Sequence, residues 1–444
     1  MNRLHTLFAV LAFAAPYAAD AQEPSAYGCT GLEFSTALPT IEGRDGVFYR
    51  TFADLRLQHP MDDRVVGLLG RLAGVLADNG TTLVFATIPS KSVAMPQFLP
   101  AHAADYGFDV TQAEQIYDDI ITRLNDAGVV APDIASALQS SPDTEPPFFG
   151  ADFHWTSDGA RRAAQAIGAA IKAHPAYVDL TPSEFTSQPD GVKPAFSGMR
   201  RTLQSYCTDA LPPVETMAYV TTKVGAGAAG EEAAALDIFA ASETAPQLVL
   251  VGTSFSDSSV NNFAGFLAEY SGLDVVNYAV TGGNQFGAMT SYLTSEDFVR
   301  ERPTFIVWEN PIYNNLAQFG THPLEELIAA AGNSCTHDLK AVQDNDGRLT
   351  ASLEGLDINA GDAIFADYGG EGARTAEFVF QTADEITRRT TMERGQRLRA
   401  TGNFFLGMSA FLHPGFQSVS VRFDRPPTDE SRIFLCTDDK GDAS

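Results

Sequence analysis

Four short apolar runs punctuate the first three quarters of the chain: "TTLVFATIP" (81–89), "PQLVLVG" (246–252), "LDVVNYAV" (273–280) and "PTFIVWEN" (303–310). They are rich in β-branched residues and nearly continuous in apolar character, as parallel strands buried on both faces are. Between them lie amphipathic stretches at 62–78, 112–127, 157–172, 259–271 and 287–300. This alternation predicts an α/β fold, a parallel sheet flanked by helices. After Cys335 the texture changes. "GRLTASLEGLDI", "TAEFVFQTA", "NFFLGMSAFL" and "FQSVSVRFD" are strand-like segments separated by Gly, Asp and Pro, with no helical pattern, and predict a small β-sandwich. No internal repeat is visible, and "GAGAAGEEAAA" (225–235) reads as a loose, biased surface stretch.

The N-terminus, "MNRLHTLFAVLAFAAPYAADAQE", has a basic start, an apolar run and a small-residue site at Ala19–Ala21, the pattern of a cleavable secretory signal. No later stretch approaches the roughly 20 apolar residues that a membrane span needs. The expected product is an exported protein, with a Gram-negative periplasm the simplest destination. About 420 residues remain after cleavage, too many for one ordinary core. The expected organisation is a signal peptide at 1–21, an α/β domain at 22–334 and a β-sandwich at 335–444. A net charge of −27 argues against nucleic acid as a partner, because phosphate binding needs a basic surface. The four cysteines, Cys29, Cys207, Cys335 and Cys436, suit an oxidising compartment. Three pairings are open; Cys29–Cys207 with Cys335–Cys436 is preferred because each bond then staples one half to itself. No Cys/His cluster suggests a metal site.

"QLVLV" runs directly into "GTSFSD" (252–257) and then toward a helix. A serine at the carboxyl end of a parallel strand sits where α/β enzymes gather ligands, and the N–H groups of a following helix can face a developing oxyanion. The plainer reading is that Ser254, Ser256 and Ser258 cap the helix. The segment "DFHW" (152–155) precedes another helical run. In an extended segment residues i and i+2 share a face, so Asp152 can hold one ring nitrogen of His154 while the other takes a proton. Trp155 would shield the pair, and Ser157 or Asp158 can cap the helix that follows. His59, His102, His174, His322 and His413 read as ordinary surface or core histidines. The acid and base precede the serine, and "GTSFS" lacks the last glycine of G-x-S-x-G, so an α/β-hydrolase elbow does not fit.

"DFHWTSDGA" and "GTSFSD" resemble the D-x-H-W signature and the nucleophile block of the SGNH-hydrolase-like domain in alginate O-acetyltransferases of the AlgX and AlgJ type. "GRDGVFY" (43–49) and "IPSKSVAMP" (88–96) stand where that family has a Gly-rich segment and a Pro-x-Lys segment, and the resemblance covers most of residues 40–330. The signal, the four cysteines and the β-rich tail resemble the AlgX-type branch, which carries a carbohydrate-binding module and two disulfides. By that resemblance Ser254 is the nucleophile, His154 the general base and Asp152 its orienting partner. Gly283 and Asn284 of "TGGNQFG", and Asn310 and Tyr313 of "ENPIYNN", are oxyanion or groove candidates, with a plain turn the alternative for "TGGN". The implied reaction takes an acetyl group from a donor onto Ser254 and passes it to a sugar hydroxyl, with no cofactor. The implied partners are alginate, an acetyl donor and an exopolysaccharide export complex. A polysaccharide esterase and a non-catalytic binding scaffold remain open.

The tail adds "TRRTTMERGQRLRATG" (387–402), in which Arg388, Arg389, Arg394, Arg397 and Arg399 stand in an otherwise acidic chain, followed by Arg422, Arg425 and Arg432. Guanidinium pairs bidentately with carboxylate, so these five predict a grip for polyuronate; a solvated basic face is the alternative.

Overall fold

The computed structural model describes residues 24–139, 145–225, 246–332, 334–412 and 415–437. The signal at 1–21, all but the first residue of the 225–235 stretch, and His413 lie outside the described residues.

The chain opens with an antiparallel hairpin, β1 (Thr40–Glu42) and β2 (Phe48–Arg50). Helix α1 (Asp63–Asp78) follows, its N-terminus capped by Asp62 and its Val65, Leu69, Leu72 and Leu76 buried as helical spacing demands. Next come β3 (Thr82–Ile88), the short α2 (Lys91–Ala94), α3 (Val110–Asp126), α4 (Ile134–Gln139) and α5 (Ser157–Ala173). A hairpin of β4 (Phe185–Pro194) and β5 (Glu215–Lys223) encloses α6 (Gly198–Gln204). Then follow β6 (Leu248–Val251), α7 (Ser254–Asp257), α8 (Phe263–Ser271), β7 (Val275–Asn277), α9 (Gly287–Leu293), α10 (Glu296–Arg300), β8 (Phe305–Pro311) and α11 (His322–Ala331).

The central sheet has the order β3-β8-β6-β7 and is parallel throughout. Every residue of β6 and β8 is buried, which is why these strands carry no polar alternation. β7 is shorter than its apolar run and lies at the sheet edge with Val276 and Asn277 exposed. There the Asn277 side chain takes the Ala279 N–H at 2.9 Å and turns the chain out of the strand. The β4–β5 hairpin escaped the sequence reading because β4 is half-buried at best, contains Pro189 and Pro194, and shows no apolar alternation.

The tail is a sandwich of two antiparallel sheets. Its strands are β9 (His337–Asp338), β10 (Val342–Gln343), β11 (Leu349–Ser352), β12 (Ala363–Asp367), β13 (Thr375–Thr382), β14 (Thr387–Glu393), β15 (Asn403–Gly407), β16 (Phe416–Phe423) and β17 (Arg432–Cys436). One sheet runs β10-β11-β16-β13-β14 and the other β15-β12-β17-β9. Burial alternates along β13 with period two, and Phe378 and Phe380 meet Phe404, Val419, Val421 and Ile433 in a core of their own. The disulfides are Cys29–Cys207 and Cys335–Cys436, the preferred pairing.

The two halves share a packed boundary. Ala363, Phe405 and Cys436 belong to the α/β core cluster, Thr294 Oγ1 meets Thr401 Oγ1 at 2.9 Å, and Leu398 lies against Gly283 and Gly287. A β-carbon on Gly287 would stand 2.7 Å from Leu398 Cδ2, so any larger residue there would push the leucine side chain out of its present place. No helix among the described residues is long and apolar enough to cross a membrane.

Candidate active site

β6 delivers Ser254 to the carboxyl edge of the sheet as the first residue of α7, and Thr253 caps that helix through the Phe255 N–H at 3.3 Å. The cap is therefore Thr253, and Ser254 is left for other work. α5 is capped by Thr156 on the Gly159 N–H, where the sequence suggested Ser157 or Asp158. "DFHW" is bent and not extended. Its carboxylate reaches the histidine by an Asx-type turn: Asp152 Oδ1 accepts the backbone N–H of His154 at 2.8 Å and faces its Nδ1 at 2.6 Å. The expected contact is present, by a different backbone route.

His154 Nε2 lies 2.7 Å from Ser254 Oγ, one hundred residues away in sequence. With Nδ1 protonated toward Asp152, Nε2 is the acceptor for the serine hydroxyl. Asp152 is buried and takes a third bond, at Oδ2, from the Ser197 hydroxyl, the N-cap of α6. Burial pushes its carboxyl up, but the bonds from His154 and Ser197 outweigh that and hold it below the usual carboxylate range. It is therefore ionised wherever the histidine works. Trp155 does more than shield: its indole N–H donates to the Phe255 carbonyl at 2.9 Å, fastening the bent segment to the nucleophile helix. Phe153 and Phe255 flank the imidazole at 4.1 and 4.9 Å between ring centroids.

Two cations stand behind this arrangement. Lys91, the lysine of "PSKS", is fully buried, with its Nζ on the carbonyls of Phe48 (2.9 Å), Phe149 (2.5 Å), Gly150 (2.7 Å) and Asp152 (3.0 Å). It clamps the backbone of the 149–152 segment to β2, and burial pushes its ammonium down to about 7. Arg50 pairs with Asp54 at 2.9 Å, and its guanidinium lies 4.4 Å from the Phe153 ring centroid and 4.5 Å from that of Tyr313. Tyr313 thus belongs to the wall beside the site. Burial pushes its hydroxyl up to about 12, against the pull of Arg50.

The oxyanion candidates need correction. The Gly283 N–H is spent on the Val280 carbonyl at 3.0 Å, and Asn284 Oδ1 accepts the Phe286 and Gly287 N–H groups at 2.8 and 3.2 Å. "TGGN" is a turn opening α9. Asn310 is buried with its Oδ1 on Asn314 Nδ2 at 3.0 Å, while its own Nδ2 donor has no partner among the described residues and stays available.

The arginine cluster also divides. Arg394 is buried, paired with Glu326 of α11 and donating to the Asn403 carbonyl at 3.0 Å, so no polymer can touch it. Arg399 is shared between Asp297 and Glu371, and Arg397 donates to the Thr281 carbonyl at 3.0 Å. Density in sequence did not make a patch, because acids and carbonyls of the α/β half claim three of the five. Arg388 and Arg389 stand exposed together on β14, Arg388 donating to the Ala410 carbonyl at 3.1 Å and Arg389 3.3 Å from Glu377; Arg397 and Arg399 are exposed as well, at the boundary with the α/β half.

A parallel sheet with a serine at its carboxyl edge, served by an Asp-x-His segment from another loop, defines an SGNH-hydrolase-like protein. The family model described as "SGNH hydrolase-like domain, acetyltransferase AlgX" matches residues 40–312, and the chain belongs to that family. The alginate biosynthesis protein AlgX of Pseudomonas aeruginosa is 31% identical over 313 residues, which is 70% of this chain and 63% of that protein's length. The probable alginate O-acetylase AlgJ of Pseudomonas syringae pv. tomato is 32% identical over 271 residues, 59% of this chain and 66% of its own length. The solved structure of Pseudomonas aeruginosa AlgX superposes with a TM-score of 0.74 at 23% identity, covering 90% of this chain and 94% of that one. The O-acetyltransferase domain of Pseudomonas putida AlgJ gives 0.51 at 25% identity, covering 66% of this chain and 99% of that one.

Proposed function

We propose that this protein O-acetylates alginate or a similar anionic exopolysaccharide through an acetyl-Ser254 intermediate, after export to the periplasm. The observation that carries the reading is the unbroken line from Asp152 Oδ1 through His154 to Ser254 Oγ, with hydrogen bonds of 2.6 and 2.7 Å. The relatives named for alginate biosynthesis and alginate O-acetylation support the substrate.

Ser254 Oγ attacks the acetyl carbonyl of the donor while His154 Nε2 takes its proton, and the imidazolium so formed faces the Asp152 carboxylate. As the first residue of its helix, Ser254 has a backbone N–H with no intrahelical acceptor by position, which suits it to the tetrahedral oxyanion. The donor's leaving group departs with the proton from His154. A sugar hydroxyl then attacks the acetyl-serine, giving its proton to the same nitrogen, and collapse restores the serine. Water in place of the sugar would make an esterase.

A chromogenic acetyl ester as donor and oligomannuronate as acceptor test the reading. O-acetylated oligomer is expected. Ester hydrolysis with no acetyl on a saturating acceptor would favour the esterase, and no reaction above the Ser254→Ala background would leave the scaffold. For the tail, the grip we propose narrows to Arg388 and Arg389. Exposed contacts of this kind contribute on the order of 1 kcal/mol each. Changing both to Ala should raise the KM for long oligomannuronate several-fold at low salt and leave hydrolysis of the small ester unchanged; an unchanged KM would remove the grip.

A further inference from the structure

One buried acid beside the site has no part in the chemistry above. Glu309 is the fifth of the seven buried residues of β8, with none of its surface exposed, and among the described residues it has no ion-pair partner. Its carboxylate reaches under the nucleophile turn. Oε2 accepts the Thr253 N–H at 2.7 Å and the Ser256 hydroxyl at 3.0 Å, and both oxygens lie 3.1 Å from Thr253 Oγ1. Thr253 and Ser256 flank Ser254 on this turn. The space is made by Gly252: a β-carbon there would stand 2.5 Å from Glu309 Oε2 and 2.9 Å from Glu309 Cβ. The glycine of "GTS" and the glutamate of "WEN" are thus two halves of one fitting.

We propose that Glu309 is a positioning residue for the transfer reaction, its ionised carboxylate gathering the donors of residues 253–256 so that Ser254 Oγ stays aligned on His154 Nε2. This rests on the acetyl-serine reading. The argument for the charge, as opposed to mere filling, is chemical. An unpaired buried carboxylate is costly to desolvate, and a neutral amide of the same shape would fill the space without that cost. Only the ionised acid is acceptor throughout, able to take an N–H and two hydroxyls at once. Protonation or amidation leaves one oxygen for the Thr253 N–H but turns the other atom into a donor, which a hydroxyl must rotate to accept, and the charge that strengthened these bonds is gone.

The acid is also poised to report on itself. Burial pushes its carboxyl up to about 7, although the bonds from Thr253 and Ser256 pull it down. Few titratable groups face it. Tyr313 comes from the loop after β8, with Arg50 and Asp54 behind it, and His154 lies across Ser254. β3 and β6 bring none, and Asp257 of α7 is turned to the Thr281 N–H at 2.9 Å.

The test measures kcat and KM for the chromogenic acetyl ester from about pH 5 to 9 in wild type, Glu309→Gln, Ser256→Ala and Ser254→Ala. In wild type, the acid limb of kcat should carry one proton more than in Glu309→Gln, the proton taken up by Glu309, so that log kcat approaches a slope of two. Glu309→Gln should lose about tenfold or more in plateau kcat with KM within about twofold, and its acid limb should show a slope of one. Wild-type kcat and an unchanged acid limb in Glu309→Gln, with Ser254→Ala inactive, would overturn the proposal and leave the triad standing. Wild-type activity in Ser254→Ala would overturn both. If Glu309→Gln does not fold, Ser256→Ala decides. Removing one bond to the ionised form should move the upper acid-limb ionisation to higher pH, and an unmoved limb would overturn the proposal.

Discussion

Ser254→Ala and His154→Ala should each abolish acetyl transfer to within background, a loss on the order of a thousandfold to a millionfold, and the double variant should lose little more. The non-additivity follows from geometry. The serine is a weak nucleophile without a base at 2.7 Å, and the imidazole has no proton to take without the serine. Asp152→Asn should behave differently. Its Oδ1 still accepts the His154 N–H groups and its Nδ2 can donate to the Ser197 hydroxyl, which turns from donor to acceptor, so the fold survives, but it allows the wrong ring tautomer and no longer faces the imidazolium with charge. A loss of roughly ten-thousandfold in kcat with KM little changed is expected by analogy with triads in general. Steady-state kinetics on the chromogenic ester and on oligomannuronate check all three variants. Substantial transfer by either alanine variant would remove the triad.

The second large effect concerns stability at the boundary between the halves. Arg394 and Glu326 bury side chains that are 6% and 7% exposed, and Arg394 also lies 4.8 Å over the Phe404 ring. Breaking such a pair from one side leaves an uncompensated buried charge, so Arg394→Met should cost about 3–5 kcal/mol. Replacing both partners removes both charges, and Arg394→Met with Glu326→Met should recover most of that loss. Urea unfolding followed by fluorescence reads the difference as a shift of midpoint at unchanged slope. A single variant as stable as wild type would mean that the pair is solvated and the boundary looser than described.

What could be read in the sequence was whatever chemistry is local or periodic. The helices fell within a few residues of 63–78, 110–126 and 157–173 because an apolar stripe at helical spacing needs no partner to be recognised. The strands did so because burial on both faces removes polar residues outright. Asp152, His154 and Ser254 were legible because each sits at an element boundary with an unusual residue type. Lys91 was marked only by the resemblance of its segment and without a role, and Glu309 not at all. A single buried charge breaks no pattern in its own segment, and its role exists only once carbonyls from two segments, or a turn 56 residues upstream, have been brought to it. The arginines failed in the opposite sense: charge density along "TRRTTMERGQRLRATG" says nothing of which side chain turns inward, and Glu326 and Asp297, from helices far away in sequence, decided it.

The most direct test of the account is to look for the acetyl group on the protein. Wild-type enzyme is mixed with the acetyl ester in the absence of acceptor, quenched in acid within the first turnovers, digested and mapped by mass spectrometry. The account predicts acetyl on the peptide carrying Ser254, lost when oligomannuronate is added before the quench and recovered on the sugar, and absent throughout from Ser254→Ala. Acetylated oligomer formed at the wild-type rate by Ser254→Ala, or an acetyl group that is carried by another residue and chases into product, would contradict it.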